Sequence, residues 1–267
     1  MEDQLFHRLC ALNTHFYQRT AASFSSTRKS AWVGWEHLAD LIAKRLEGAW
    51  SDRIRDARTL GIVDLACGNL RFETFLEERF PRIPLSFTAV DNCGTFPCTP
   101  VAGPCEFVQA DLVEWLQGGN GAGLPRLPAA DMAVCFGFMH HIPSTEARCT
   151  LLQRLAEMLA PGGIGAVSLW DFAQDPRMKA KAEASTARAK EALGLPDLEE
   201  GDYILGWQDD EDAFRYCHSF SEGEMNAIAG SLPAHTRLIE RFQADGRTGT
   251  LNTYLVFERE RLAVQTA

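Results

Sequence analysis

Hydrophobic positions recur along the chain in two rhythms, and the change between them divides it. Over residues 4–22 the side chains of Leu5, Leu9, Leu12 and Phe16 fall three or four apart, which makes one face of an amphipathic helix. The run Ser23-Phe24-Ser25-Ser26-Thr27 interrupts that pattern. A second helix is predicted over residues 30–47, with Val33, His37, Leu38, Leu41 and Ile42 turned inward. From residue 61 the rhythm changes. Gly61-Ile62-Val63-Asp64-Leu65-Ala66 is a nearly continuous apolar run holding one acid, as expected of a parallel strand covered on both faces. Further strands are predicted over 85–90, 107–110, 132–136 and 164–170. Phe72, Phe75, Leu76 and Phe80 mark a helix after the first strand. Ser144 is the N-cap of another that reaches Ala160, where Pro161-Gly162-Gly163 stops it. Strands alternating with helices define an α/β class with right-handed crossovers.

After Trp170 the alternation breaks. Residues 176–193 read as an exposed, Ala-rich helix. Residues 197–212 hold eight acids and no basic side chain, and read as a solvated loop. Ser221-Glu222-Gly223-Glu224 fits a capping box opening a helix through Met225 and Ile228. Strands over 236–242 and 251–258 are expected to close the chain as an antiparallel pair on the sheet edge. The organisation predicted is an N-terminal helical arm (1–50) and a Rossmann-like domain (51–267) with a lid at about 174–220. Residues 118–130 read as a mobile Gly/Pro-rich loop.

Composition narrows the function classes. Hydrophobic residues make up 46% of the 267, ordinary for a globular protein. No run approaches the roughly 18 apolar residues of a membrane span. The start, MEDQLFHRLC, has no apolar core of a signal peptide, so a cytoplasmic protein with reduced thiols is expected. Cys93, Cys98 and Cys105 include no CxxC pair, and no metal site is expected. The net charge of −10 opposes a stand-alone nucleic-acid binder. A local basic cluster, Lys44, Arg45, Arg53, Arg55 and Arg58, lies between the arm and the first strand.

The candidate chemistry gathers at strand ends. In Asp64-Leu65-Ala66-Cys67-Gly68-Asn69 the small residues Ala66 and Gly68 let a ligand approach the backbone at the first strand tip. The turn is not G-x-G-x-x-G, which weakens a pyrophosphate reading. Asp91 ends the second strand, where a carboxylate accepts from both ribose hydroxyls. Asp111 ends the third; it suits an adenine amine, with Leu112 packing on the ring. Both also have a bland reading as strand-end caps. Asp64 either touches the ligand or holds the loop by accepting backbone N–H groups. Cys67, Asn92, Phe136 and Trp32 complete the expected cofactor wall. Acids at successive strand tips suit an adenosine without phosphates. His140 and His141, after the fourth strand, face the expected place of a second substrate, as base, orienting donor or simple loop anchors.

In order, these pieces resemble the motifs of class I S-adenosylmethionine (SAM)-dependent methyltransferases, joined by Leu159-Ala160-Pro161-Gly162-Gly163. That resemblance implies a seven-stranded sheet with its last strand antiparallel, and SAM as cofactor. More narrowly, the chain resembles the tRNA wobble-uridine carboxymethyl methyltransferase family. The resemblance rests on Phe16-Tyr17 through Phe24-Ser25-Ser26-Thr27-Arg28, on Met139-His140-His141-Ile142-Pro143-Ser144-Thr145, on Trp170, and on Arg215-Tyr216-Cys217-His218-Ser219-Phe220-Ser221-Glu222-Gly223-Glu224. The closing strand Asn252 to Glu258 is also similar. Where the family has G-C-G-N-G-K-Y, this chain has Ala66-Cys67-Gly68-Asn69-Leu70-Arg71-Phe72.

The narrower resemblance implies esterification of a carboxylate on a modified uridine, and a small zinc-binding activator subunit as partner. A carboxylate is already ionised at neutral pH, so the protein's task is orientation. Arg28 is assigned to the SAM carboxylate, and Arg215 with His218 to the acceptor, because an arginine fork matches a carboxylate. Each also has a structural reading as the partner of a nearby acid. Two other functions remain open: a small-molecule O- or N-methyltransferase, and a non-catalytic scaffold on the same fold.

Overall fold

Strands buried on both faces need apolar side chains in both directions, and the central strands have them. The strands are β1 (Leu60–Leu65), β2 (Leu85–Asp91), β3 (Cys105–Gln109), β4 (Ala130–Cys135), β5 (Leu159–Trp170), β6 (Asp202–Trp207), β7 (Asp210–His218), β8 (Thr236–Ala244) and β9 (Asn252–Arg259). The helices are α1 (Asp3–Ser26), α2 (Val33–Glu47), α3 (Ser51–Arg55), α4 (Arg71–Arg79), α5 (Leu112–Gln117), α6 (Thr145–Glu157), α7 (Pro176–Leu193) and α8 (Glu222–Gly230). The structure, a computed structural model, describes residues 3–27, 30–56, 58–94, 96, 100–118, 127–208 and 210–261. Most of the loop expected at 118–130 therefore lies outside the described residues, as do Arg28 and Cys98.

Seven strands form one sheet in the order β3-β2-β1-β4-β5-β9-β8. β1 pairs in parallel with β2 and β4, β2 with β3, and β4 with β5. β9 runs antiparallel to both β5 and β8. On β4, Met132 and Val134 join one core with Trp35, Leu38, Phe72 and Phe75. Ala133 and Cys135 join the opposite core with Leu151, Leu155, Met225 and Phe257. The order in which successive strands are added reverses between β1 and β4, which opens a crevice at their carboxyl ends.

Several elements differ from expectation. α1 runs through the serine-rich segment to Ser26. The hydroxyls of Ser23 and Ser26 donate to the carbonyls three residues back, at 3.0 and 2.7 Å, so these two are satisfied inside the helix. The inner face of α2 is Gly34, Trp35, Leu38, Ala39 and Ile42, while Val33 is 67% exposed and His37 reaches Glu240 at the surface. Gly34 sets this face. A Cβ there would lie 2.2 Å from the Tyr254 ring, and its N–H donates to Asp245 at 3.0 Å. β5 starts at Leu159, so the Pro161-Gly162-Gly163 segment belongs to the strand and α6 ends at Glu157.

The acidic segment is no solvated loop but most of the β6–β7 hairpin. α7, capped by Asp175, packs on β6 through Ala182, Ser185 and Ala189 rather than standing exposed, and α1 packs on β7. Leu9, Ala189, Ile204, Phe214 and Tyr216 form the small core of this cap. The two helices expected as one arm thus sit apart: α1 belongs to the cap and α2 to the sheet face. No helix among the described residues is long and apolar enough to cross a membrane.

Candidate active site

The crevice at the tips of β1, β2 and β4 is a cavity of about 660 Å³. Its floor is the turn after β1. Gly68 (φ 58°) has open space where a Cβ would stand. Asp91 fixes the turn by accepting from Gly68 N at 2.9 Å and from Cys93 N at 2.8 Å. Ala66 (φ 62°) and Leu70 (φ 61°) hold left-handed conformations without being glycine. An L-residue there is strained by roughly 1–2 kcal/mol, part of which glycine returns through its freer unfolded chain. Ala66→Gly is therefore expected to raise stability by about 0.5–1 kcal/mol in urea denaturation.

Trp32, Asp64, Ala66, Cys67, Gly68, Asp91, Asn92, Asp111, Leu112 and Phe136, predicted from the sequence, all line this cavity, as do His140, His141 and Arg215. Asp111 is also the N-cap of α5, accepting from Val113 N at 2.9 Å and Glu114 N at 3.2 Å, and Asn92 reaches it at 3.4 Å. The bland reading of that acid as a cap is thus realised, and the residue also lines the cavity. His218 does not line the cavity. Side chains alternate along a strand, so Arg215 and Cys217 point one way and Tyr216 and His218 the other. His218 lies instead in a buried network, 2.7 Å from Asp202 and 2.8 Å from Glu224.

None of the residues predicted for the cofactor wall belongs to the roof. α1 crosses the cavity and contributes Asn13, Thr14, Tyr17 and Phe24. Asn13 ties it down, donating to His141 O at 3.2 Å and accepting from Tyr216 N at 2.7 Å. Arg71 was also missed. It lines the cavity at the start of α4, donates to Ser30 O, and lies 5.7 and 5.2 Å from the Trp32 and Trp35 rings. Arg28 lies outside the described residues; among those described, Arg71 is a cation beside the turn. Its signal was its place directly after the small-residue turn.

The far wall is electrically simple. Arg215 is 7% exposed, and no acid pairs with it among the described residues. Its guanidinium lies 4.9, 5.6 and 5.4 Å from the Phe16, Phe24 and Trp207 rings, and its Nε has no hydrogen-bond partner. Burial, helped by the Arg215 charge, pushes the His141 pKa down to about 3. That neutral ring donates from Nδ1 to Tyr216 O at 2.9 Å and accepts at Nε2 from the Tyr17 hydroxyl at 2.7 Å. Burial also holds His140 well below its ordinary value. Its ring lies 4.8 Å from Trp170, and its Nδ1 has no partner. His140, His141 and Cys217 lie at metal-ligand spacing. Both nitrogens of His141 are already engaged and Arg215 stands alongside, a poor setting for a second cation.

No family model matches the chain, and no curated protein matches it in sequence. Solved structures do. A SAM-dependent methyltransferase from Methanosarcina mazei is 14% identical, with 76% of this chain and 93% of that one covered and a TM-score of 0.54. A S-adenosylmethionine-dependent methyltransferase from Clostridium acetobutylicum ATCC 824 is 11% identical over 92% and 97%, with a TM-score of 0.50. LepI in complex with SAM is 15% identical over 82% of this chain and 46% of that one, with a TM-score of 0.51. The chain thus has the Rossmann-like fold of SAM-dependent methyltransferases.

Proposed function

We propose that this chain is a SAM-dependent methyltransferase that esterifies a carboxylate, with Arg215 holding the acceptor. The observation that carries the acceptor class is the buried, acid-free guanidinium of Arg215 opening on the cavity beside two neutral histidines. A buried cation without an anion is costly, and an anionic ligand removes that cost. The cofactor reading is supported by the fold and by the donor set: Asp91 for ribose hydroxyls, Asp111 for the adenine edge, Arg71 for the methionine carboxylate, and open space over Gly68.

SAM supplies an electrophilic methyl group on a sulfonium. The chain's own residues do the rest by position. Arg215 presents its fork to the acceptor, α1 and Trp32 cover the crevice against water, and Asp91 holds the floor of the turn. No base is needed for an ionised acceptor. Resemblance to the wobble-uridine family makes a carboxymethyl uridine of tRNA the candidate acceptor, with a zinc-binding activator as partner. Two residues of the basic cluster are paired with acids: Arg45 with Glu258, and Arg55 with Asp52 at 2.8 Å. A second reading, a small-molecule O- or N-acceptor, is favoured by the unpartnered Nδ1 of His140, a neutral lone pair able to take a proton.

Methyl-labelled SAM, the purified chain and an extract from a strain lacking its gene separate these readings. Esters release methanol in mild alkali; ethers and methylamines do not. Alkali-labile, ribonuclease-sensitive label, with free-acid wobble uridine accumulating in the deletion strain, is the expected result. Alkali-labile label that survives ribonuclease moves the acceptor to a small acid. Alkali-stable label rejects the carboxylate. No transfer, and no heat on titration with SAM, returns the chain to the scaffold class.

A further inference from the structure

α7 carries its charge unevenly. Its buried face, Ala182, Ser185 and Ala189, packs on β6. Arg177, Lys181, Ala184 and Arg188 are exposed and follow one another at spacings of four, three and four, which stacks them along one flank of the helix. Among the described residues no acid lies within ion-pair distance of Arg177, Lys181 or Arg188. The nearby acids are engaged elsewhere or stand aside. Asp175 accepts from the N–H groups of Arg177 and Met178, at 2.8 and 3.2 Å. Glu183 lies 3.9 Å from Lys179 on the opposite flank, Asp197 holds Lys190, and Asp210 of the hairpin holds Arg19 at 2.9 Å. Glu191 stands at the far end, three residues beyond Arg188. In a chain of net charge −10 the row is a local exception. Like charges four residues apart destabilise a helix, and an anion laid along them removes that repulsion.

The first turn of α7 stands directly behind the cavity wall. Met178 packs with Phe172, Trp170 and Leu251, and Trp170 and Leu251 line the cavity. The row therefore starts beside the crevice, on the side of Trp170 and His140, and leads away from it. From Arg177 to Arg188 the helix rises about 16 Å, at about 1.5 Å per residue. One phosphate or carboxylate cannot meet three cations over that length; a polyanion can. An anionic membrane is the other extended partner. The exposed residues between the cations include Ala180, Ala184 and Ala187 and no bulky apolar side chain that would enter a bilayer.

We propose, on the reading that the acceptor is a tRNA, that Arg177, Lys181 and Arg188 bind the phosphate backbone of the acceptor RNA beside the crevice. Such contacts carry no sequence information. They fix the RNA against the cap while its reacting nucleoside occupies the cavity.

The test measures binding of tRNA from a strain lacking the gene to the full chain, between about 50 and 200 mM KCl. Each phosphate contact adds about 0.7–0.9 to the slope of log K against log salt. Arg177→Gln, Lys181→Gln and Arg188→Gln combined are expected to lower that slope by about 2 and to raise the KM for tRNA. The Kd for SAM should not change. Glutamine keeps the helix propensity and the three sites are exposed, so the urea midpoint should not move either. Arg58→Gln with Arg82→Gln removes exposed cations ahead of β1 and β2, at the opposite end of the sheet from the crevice, and is expected to leave the slope as it is. A wild-type slope in the triple variant, or an equal loss per cation in the control pair, overturns the proposal and leaves the tRNA reading standing. So does a triple variant that loses wild-type binding to phosphatidylserine vesicles while its tRNA binding is intact, which assigns the row to a membrane. Wild type that binds no tRNA at any of these salt concentrations is a different failure, that of the tRNA reading, and the proposal falls with it.

Discussion

Arg215→Met is expected to lower kcat/KM for the acceptor by about 150-fold while the Kd for SAM stays within about twofold of wild type. A bidentate arginine–carboxylate pair carries two charge-assisted hydrogen bonds worth about 1.5 kcal/mol each, and about 3 kcal/mol corresponds to that ratio. Methionine keeps the packing against Phe16, Phe24 and Trp207, so cavity formation does not confuse the result. Arg215→Lys restores the charge without the planar fork and should recover only a small part of the rate. Stability provides the independent readout. The native guanidinium is buried without an acid, so its removal should leave the urea midpoint no lower than wild type. Loss of SAM affinity together with transfer, or a marked loss of stability, would show that Arg215 serves the cap rather than the acceptor.

How far such a site can be read from sequence depends on what each residue answers to. The central strands were legible because burial on both faces forces continuous apolar runs, and the strand-tip acids because their spacing follows the strand repeat. Asp64, Asp91 and Asp111 all line the crevice at the strand ends. α7 was legible from its Ala-rich composition, but its buried face of Ala182, Ser185 and Ala189 was not. The β6–β7 hairpin was not. Acid density there hides an alternation in which Ile204, Phe214 and Tyr216 point inward and Asp202 is the buried exception. The joint assignment of Arg215 and His218 failed for the same reason: three residues apart on an unrecognised strand, they face opposite ways. The roof from α1 and the rotated face of α2 are set by tertiary packing. No local pattern reports them.

Asp202→Ala is expected to destabilise the protein by about 3–5 kcal/mol in urea denaturation, and Asp202→Asn by about half as much. Asp202 accepts from the Tyr216 hydroxyl at 2.5 Å and lies 2.7 Å from His218 Nδ1, with Arg148 at 3.9 Å. Arg148, 2% exposed, also donates to Tyr216 Oη at 3.0 Å and to Ile142 O at 2.8 Å. Removing Asp202 takes the acceptor from the Tyr216 hydroxyl and from His218 Nδ1 and a carboxylate from beside Arg148, with Glu224 left facing His218 and Arg148, which is why the cost exceeds that of a single hydrogen bond. Glu224 closes the far side of the network. Burial raises its pKa, but the Ser221 N–H and hydroxyl and the His218 ring outweigh that and leave it below its ordinary value. Its contribution is thus present above the unfolded carboxylate pKa and is lost as pH falls through the lower folded one. The same network sits behind the acceptor wall, because Tyr216 binds Asn13 and His141 through its backbone while its side chain holds Asp202. Loosening it should free β7, raise hydrogen exchange across the β6–β7 hairpin and lower kcat/KM. SAM affinity should change less, since its expected contacts come from the tips of β1, β2 and β3. Equal loss of SAM affinity and transfer in Asp202→Asn would mean that cap and cofactor floor unfold as one unit.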